Sequence, residues 1–149
     1  MILVSACLCG VNCKYNGENN LNEEMLELLK KGEALLICPE QMGGLETPRR
    51  PSEIRIINGE TKVFMDDGRD VTDNYKKGAE EVLRLAKELN IKKAILKKKS
   101  PSCGCGEIYD GTFTGQKIPG QGIFAKMLCE KGIKVRDVED LPRWNGLCI

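Results

Sequence analysis

Eight cysteines and no histidine stand among the 149 residues, and together these counts select the chemistry open to the chain. Without imidazole there is no Cys-His or Ser-His nucleophile pair and no mixed Cys/His zinc site, so proton transfer falls to carboxylate, Lys, Tyr or water. Any metal must be held by thiolate or oxygen. Cys7 follows the apolar run MILVSA, Cys38 closes EALLI, and Cys103 lies in SPSCGCG just after KKAILKK. Thiolates alone suit an iron–sulfur cluster or zinc. The C-x-x-C pairs of structural zinc sites are missing, since the close pairs present, Cys7/Cys9 and Cys103/Cys105, are spaced by one residue. The compact four-cysteine run of a ferredoxin is missing too. Three ligands on a four-iron cluster leave one iron without a protein thiolate, and an open iron is a Lewis acid that binds and polarises a substrate atom.

Other reactive groups cluster near these thiols in sequence. Glu40, two residues after Cys38 in CPEQMGGLETPRRP, is the best general acid/base candidate in a chain without histidine. Ser100 and Ser102 flank Pro101 just before Cys103, where a hydroxyl can bond substrate or simply build the loop. Arg49 and Arg50 suit an anion, a carbonyl or the surface, and of Lys97, Lys98 and Lys99 at most one turns inward. Gly43-Gly44 supplies a permissive backbone. Cys13, in VNCKYNG, is close enough to Cys7 to be a fourth ligand or a spare thiol. Cys9 and Cys105, one residue from a ligand, are expected to face elsewhere. Cys129 reads as core packing beside Ala125, and Cys148 as incidental. A buried cysteine also packs as a small hydrophobe, so any one thiol alone favours no ligation; three at equivalent places do.

The elements that must position them follow from hydrophobic period. Residues 1–6 read as a short buried strand, too brief for a helix. Residues 21–31, LNEEMLELLKK, place Met25, Leu28 and Leu29 on one helical face, with Asn22 as N-cap and Gly32 as the stop. Residues 33–37 form a second apolar strand, so the opening spells the βαβ unit of a parallel sheet with a right-handed crossover. EIRIINGETKVF, residues 53–64, holds Asn58-Gly59 between two β-rich halves and reads as an inserted antiparallel hairpin. DVTDNYKKGAEEVLRLAKELN predicts the longest helix, with Asp70, Thr72 and Asp73 as cap candidates and Ala79, Val82, Leu83, Ala86 and Leu89 buried. A third strand at 93–98, a turn-rich stretch with Asp110-Gly111, a helix at 121–131 ending at Gly132, and a last strand over IKVRDV complete the chain. The expected fold is a compact, Rossmann-like, three-layer α/β domain over residues 1–149, with a mainly parallel sheet of about four strands. The strands then end on one edge, where open α/β folds collect their ligands, and that edge brings Cys7, Cys38 and Cys103 together.

Composition bounds the partners. With 23 basic and 22 acidic side chains, the chain has no long-range field that gathers phosphate backbones, so nucleic acid is not indicated. No stretch approaches the ~20 apolar residues of a membrane span, and the start lacks the features of a signal peptide. The expectation is a cytoplasmic protein with reduced thiols rather than a disulfide framework.

SACLCGVNCKYNG, CPEQMGGLETPRRPSEI, GRDVT followed by Gly78-Ala79, LKKKSPSCGCGEIYDGTF and GQGIFAKMLCEKGI resemble, in order and spacing, the thiouracil desulfidase family, long known as a domain family of unknown function. The resemblance runs from about residue 2 to residue 136. It implies a [4Fe-4S] cluster on Cys7, Cys38 and Cys103 with the fourth iron open, and substrate roles for Glu40 and Ser100. The implied reaction is a non-redox desulfurisation of 2- or 4-thiouracil to uracil, or of a related small thioamide, with sulfur abstracted by the open iron. Glu40 would move protons and Ser100 would orient the base. Two other classes stay open: a non-enzymatic zinc or metal-binding module, and a thiol-based sulfur carrier or persulfide transferase.

Overall fold

A computed structural model describes residues 1–140 of the chain; Cys148 lies outside them. In chain order the elements are β1 (Ile2–Ser5), α1 (Glu23–Lys30), β2 (Ala34–Ile37), α2 (Pro39–Met42), β3 (Ser52–Ile57), β4 (Glu60–Met65), α3 (Thr72–Glu88), β5 (Lys93–Leu96), β6 (Glu107–Tyr109), β7 (Lys117–Pro119), α4 (Ile123–Glu130) and β8 (Lys134–Asp137). Four of the strands form one parallel sheet in the order β2-β1-β5-β8. Side chains alternate across a strand, so Leu3, Ala94 and Leu96 pack on one face with Ala79, Val82, Phe124 and Leu128 of α3 and α4. Val4 and Ile95 pack on the other face with Met25 of α1. The result is the expected three-layer α/β fold, and each fully buried Leu or Phe contributes about 1.5–3 kcal/mol of apolar transfer.

Local signals act as the sequence implies. The Asn22 side chain accepts hydrogen bonds from the Glu24 and Met25 amides at 3.0 and 3.2 Å and starts α1. Gly32, with φ +72°, ends it in the left-handed region open to glycine. Asn58 and Gly59, at φ +52° and +78°, make the tight turn between β3 and β4, whose antiparallel pair forms its own sheet. That hairpin seats Ile54, Val63 and Met65 against Val71 and Tyr75 at the start of α3. The Thr72 hydroxyl accepts the Val63 amide at 2.9 Å and stitches hairpin to helix.

Four expectations differ from the structure. Leu89 is 52% exposed, because α3 stops at Glu88 and the left-handed turn at Asn90 carries Ile91 into the core in its place. Cys129 is exposed rather than packed; α4 buries Phe124, Ala125 and Leu128, and Cys129 is a further ~100° round the helix from Leu128. The turn-rich stretch contains a second small sheet, β6 with β7, whose three-residue strands are too short to show a period. The segment after Cys38 winds into the single helical turn α2, which is likewise too short to show one.

Strand order reverses between β1, which leads outward through α1 to β2, and β5, which leads the other way to β8. Cys7 follows β1 and Cys103 follows β5, so the two straddle the switch point at which such sheets open a crevice.

Candidate active site

The crevice is an open pocket of about 550 Å³, within the usual range for a small-molecule site. Cys7, Cys38 and Cys103 all line it, as do Glu40, Ser100 and Ser102. Cys7 sits in a single 3-10 turn directly after β1, with its carbonyl accepting the Asn20 amide at 2.9 Å and its sulfur facing the Asn20 side-chain amide at 3.7 Å. Cys38 leaves β2 at the head of α2. Cys103 is held in the loop after β5, where Ser5 of β1 hydrogen-bonds its thiol and also accepts the Lys97 amide at 2.9 Å. Burial pushes the Cys103 thiol up to about 12, against the pull of the Ser5 and Ser102 hydroxyls.

A fourth thiol joins them. Cys13 is 3% exposed, lines the same pocket and lies between Cys7 and Cys38, hydrogen-bonding both sulfurs. The shared bonds hold the Cys13 proton in place and push its titration upward. In return, the bond from Cys13 draws Cys7 down to about 7 against burial, helped by Asn20 and by the Lys97 ammonium. The same bond from Cys13 lowers Cys38. Burial lowers the pKa of Lys97, partly offset by the nearby Cys7. Cys9 and Cys105 do not line the pocket: the Cys9 thiol bonds the Met25 carbonyl at 3.3 Å, and the Cys105 thiol faces the Val135 carbonyl. The seven described cysteines are all free thiols.

The chemistry of the donor set fits an iron–sulfur cluster. Soft sulfur donors spread around one pocket, from three segments and without imidazole, match an iron–sulfur cluster, whose irons are separate points each taking its own thiolate. Cys7, Cys13, Cys38 and Cys103 are the thiols at the pocket that could hold it.

Beside the thiols lies a hydrogen-bond network centred on Glu40. One carboxylate oxygen, Oε1, accepts Arg49 Nε at 3.1 Å, Arg49 Nη2 at 3.0 Å and the Tyr75 hydroxyl at 2.8 Å. Arg49 and Glu40 are only 4% and 13% exposed, so their ion pair is held inside the protein. Arg49 Nη2 also donates to the Cys13 carbonyl at 3.0 Å, tying the acid to the thiol loop. The other oxygen, Oε2, receives the Ser102 hydroxyl at 2.9 Å and the Ser100 hydroxyl at 3.3 Å. Ser100 Oγ itself accepts the Ser102 and Cys103 amides at 3.1 and 3.2 Å and lies 2.9 Å from Ser102 Oγ. A hydroxyl has one proton to give, and the shortest bonds run from Ser100 to Ser102 to Glu40. Ser102, 1% exposed and 3.6 Å from the Cys103 sulfur, is the link between acid and thiol.

Sequence reasoning named Glu40, Ser100 and the three cysteines, and all five meet at the pocket. It left Arg49 undecided and missed Tyr75, whose only early signal was its place on the buried face of α3. It also missed a steric device. A Cβ on Gly78 would stand 1.8 Å from the Pro39 carbonyl oxygen, and one on Gly43 would stand 1.9 Å from the Asn74 carbonyl oxygen. The two glycines let α2, which carries Glu40, lie directly on α3. Glycine in the middle of the longest helix was the available signal, because that position costs about 1 kcal/mol against alanine.

Comparison with known proteins gives three findings. The sequence model of the 2-thiouracil desulfurase family matches residues 2–140. The uncharacterized protein YbbK of Bacillus subtilis (strain 168) is 44% identical over 147 residues, covering 95% of this chain and 97% of that protein. Among solved structures, the [4Fe-4S]-dependent thiouracil desulfidase TudS superposes with a TM-score of 0.87 at 41% identity, covering 95% of this chain and 93% of that one.

Proposed function

Because the chain belongs to the 2-thiouracil desulfurase family, we propose that its pocket carries out iron–sulfur-dependent desulfurisation of thiouracil, with Cys7, Cys38 and Cys103 as the cluster thiolates and Glu40 and Ser100 acting on the substrate. The substrate is a small thiolated pyrimidine, 2- or 4-thiouracil, or a related thioamide. Water replaces sulfur at the thione carbon: a C–O bond forms, the C–S bond breaks, both water protons end on sulfide, and no electrons change hands. The observation that carries this reading is the meeting of three thiols from three strand ends with a hydrogen-bonded Glu-Ser-Ser chain in one pocket.

When bound, a [4Fe-4S] cluster on three thiolates supplies one open iron, a soft Lewis acid for thione sulfur. Glu40 receives a proton from the attacking water at Oε2, the oxygen that faces the serines, while Arg49 and Tyr75 hold Oε1 still. Orientation of this kind is what makes an acid/base group effective. Ser102 and Ser100, chained to Glu40 Oε2, return the proton toward the leaving sulfur, and Ser100 Oγ at the end of that chain orients the ring. Cys13, with one S–H to give to either Cys7 or Cys38, keeps its proton and stays outside the ligand set, which leaves the fourth iron open. Lys97 stands beside Cys7, where an ammonium favours the thiolate. The free thiols of the chain suit the cytoplasm, and among the described residues no helix is long and apolar enough to cross a membrane.

The test is anaerobic reconstitution with iron and sulfide, followed by assay of 2- and 4-thiouracil. The expected result is a brown protein that releases uracil and sulfide in equal amounts. Cys7→Ser, Cys38→Ser and Cys103→Ser should each lose the cluster and Cys13→Ser should keep it. A colourless zinc protein, or activity that survives removal of iron, refutes the reading, and cluster loss in Cys13→Ser refutes the open iron.

A further inference from the structure

Phe113 is held in a backbone conformation that a bulky side chain rarely adopts. Its φ is +58°, and for a residue of its size this is an outlier that persists only where the surroundings dictate it. They do so here with several contacts. Glu53, a carboxylate only 8% exposed, uses Oε1 to accept the Gly111 amide at 2.9 Å and the Phe113 amide at 3.1 Å. Arg55 donates from Nε to the Gly111 carbonyl at 2.8 Å. Gly111, itself at φ +91°, lies so close to the hairpin that a Cβ would meet the Ile54 carbonyl oxygen at 2.7 Å. Two separate small sheets are thereby locked together around one loop, and what the lock presents is the Phe113 ring.

That ring lines the same pocket as the thiols and Glu40. Its other environment is cationic: the Arg55 guanidinium lies 5.8 Å from the Phe113 centroid and 5.4 Å from that of Phe64. An aromatic ring with a cation over it at this range is held in orientation by the attraction. The ring is neither buried nor fully exposed, so it keeps free surface for a ligand. Of the other pocket aromatics, Tyr75 is 2% exposed with its hydroxyl given to Glu40, Tyr15 is 45% exposed, and Tyr109 is half-buried at the end of β6; of the four, Phe113 is the one set by the Glu53 and Arg55 contacts.

We infer that Phe113 is the stacking platform for the substrate ring, placed by Glu53 and Arg55, and that it makes the site select planar aromatic thiones over saturated ones. This rests on the desulfidase reading for its substrate and on the loop geometry for its residue. A stacked base is worth about 1–3 kcal/mol, so at 1.4 kcal/mol per tenfold the loss of the ring weakens binding by roughly 5- to 100-fold. Uniform binding of ground and transition state raises KM on its loss and leaves kcat nearly unchanged.

The experiment uses the cluster-loaded chain and measures equilibrium binding of uracil and of 5,6-dihydrouracil, which has the same carbonyls on a puckered ring, alongside KM and kcat for 2-thiouracil. In Phe113→Leu, uracil affinity is expected to fall about 5- to 100-fold and KM for 2-thiouracil to rise in step, while dihydrouracil affinity moves less than twofold. Phe113→Tyr restores the uracil values. Phe113→Met, which keeps the bulk without the ring, carries the same prediction if the leucine variant does not fold. Equal losses for the two ligands, or no loss for either, overturn the inference, as does a wild-type chain that binds no uracil. A wild type that binds uracil in a Phe113-dependent way and yet leaves thiouracil unchanged overturns the desulfidase reading alone.

Discussion

Gly78→Ala separates the steric role of the α2–α3 contact from ordinary helix stability. On propensity alone, alanine in the middle of α3 favours the helix by about 1 kcal/mol. Against this, the new methyl would begin 1.8 Å from the Pro39 carbonyl oxygen, where ordinary contact starts at 3.4 Å. Relief from 1.8 to 3.4 Å is a shift of about 1.6 Å, imposed on backbone that cannot swing aside like a long side chain. Overpacking of this kind costs about 1–3 kcal/mol, so the net loss of stability is only about 0–2 kcal/mol. The catalytic cost is larger, because Glu40 is the next residue along α2 and a misplacement near 1 Å is worth about 100-fold in rate. The expected result is a Tm lower by no more than about 8 °C, a retained cluster, and kcat/KM for 4-thiouracil reduced at least about 100-fold. Thermal unfolding, iron and acid-labile sulfide content, and anaerobic turnover measure the three quantities. A variant with wild-type turnover refutes the claim that this contact sets the position of Glu40.

Glu40→Gln keeps the shape and removes the charge; kcat is expected to fall about 10²- to 10⁴-fold with cluster content intact, and unaltered turnover removes Glu40 from the chemistry. Tyr75→Phe deletes one donor to Glu40 Oε1, and hydrogen bonds to charged groups are worth about 1.5–3 kcal/mol, so chemical denaturation should show that loss with the rest of the network in place. Ser102→Ala interrupts the shortest path between Ser100 and Glu40, and a fall of about 10- to 100-fold in kcat is expected; a value within twofold of wild type shows that Ser100 reaches Glu40 without it. Cys9→Ser should retain full cluster content, since the Cys9 thiol bonds the Met25 carbonyl rather than facing the pocket.

Much of the site was legible along the chain, for an identifiable reason. A strand announces its end by the break in its apolar run, and in a parallel sheet successive strands end on the same edge. Cys7, Cys38 and Cys103 were therefore placed together by counting strands, and Asn22, Gly32 and Asn58-Gly59 marked caps and turn through their own backbone preferences. These are properties carried by a residue and its near neighbours. Hydrophobic period shows which side of an element is buried but weakens at its last turn, where Leu89 and Cys129 were misplaced.

Only the tertiary structure decided which groups meet through space. Arg49 was a cation in a loop until packing turned it onto Glu40 and the Cys13 carbonyl. Tyr75 was an apolar position on α3 until α2 came to lie over it, and α2, a single turn, has no period to announce it. Gly78 matters through a carbonyl 39 residues earlier, and Phe113 through a carboxylate on a separate hairpin. Composition and local pattern determined the ligand type and the edge where ligands gather; the distances among Glu40, its partners and the thiols came from how two helices and two small sheets pack, which no local residue preference encodes.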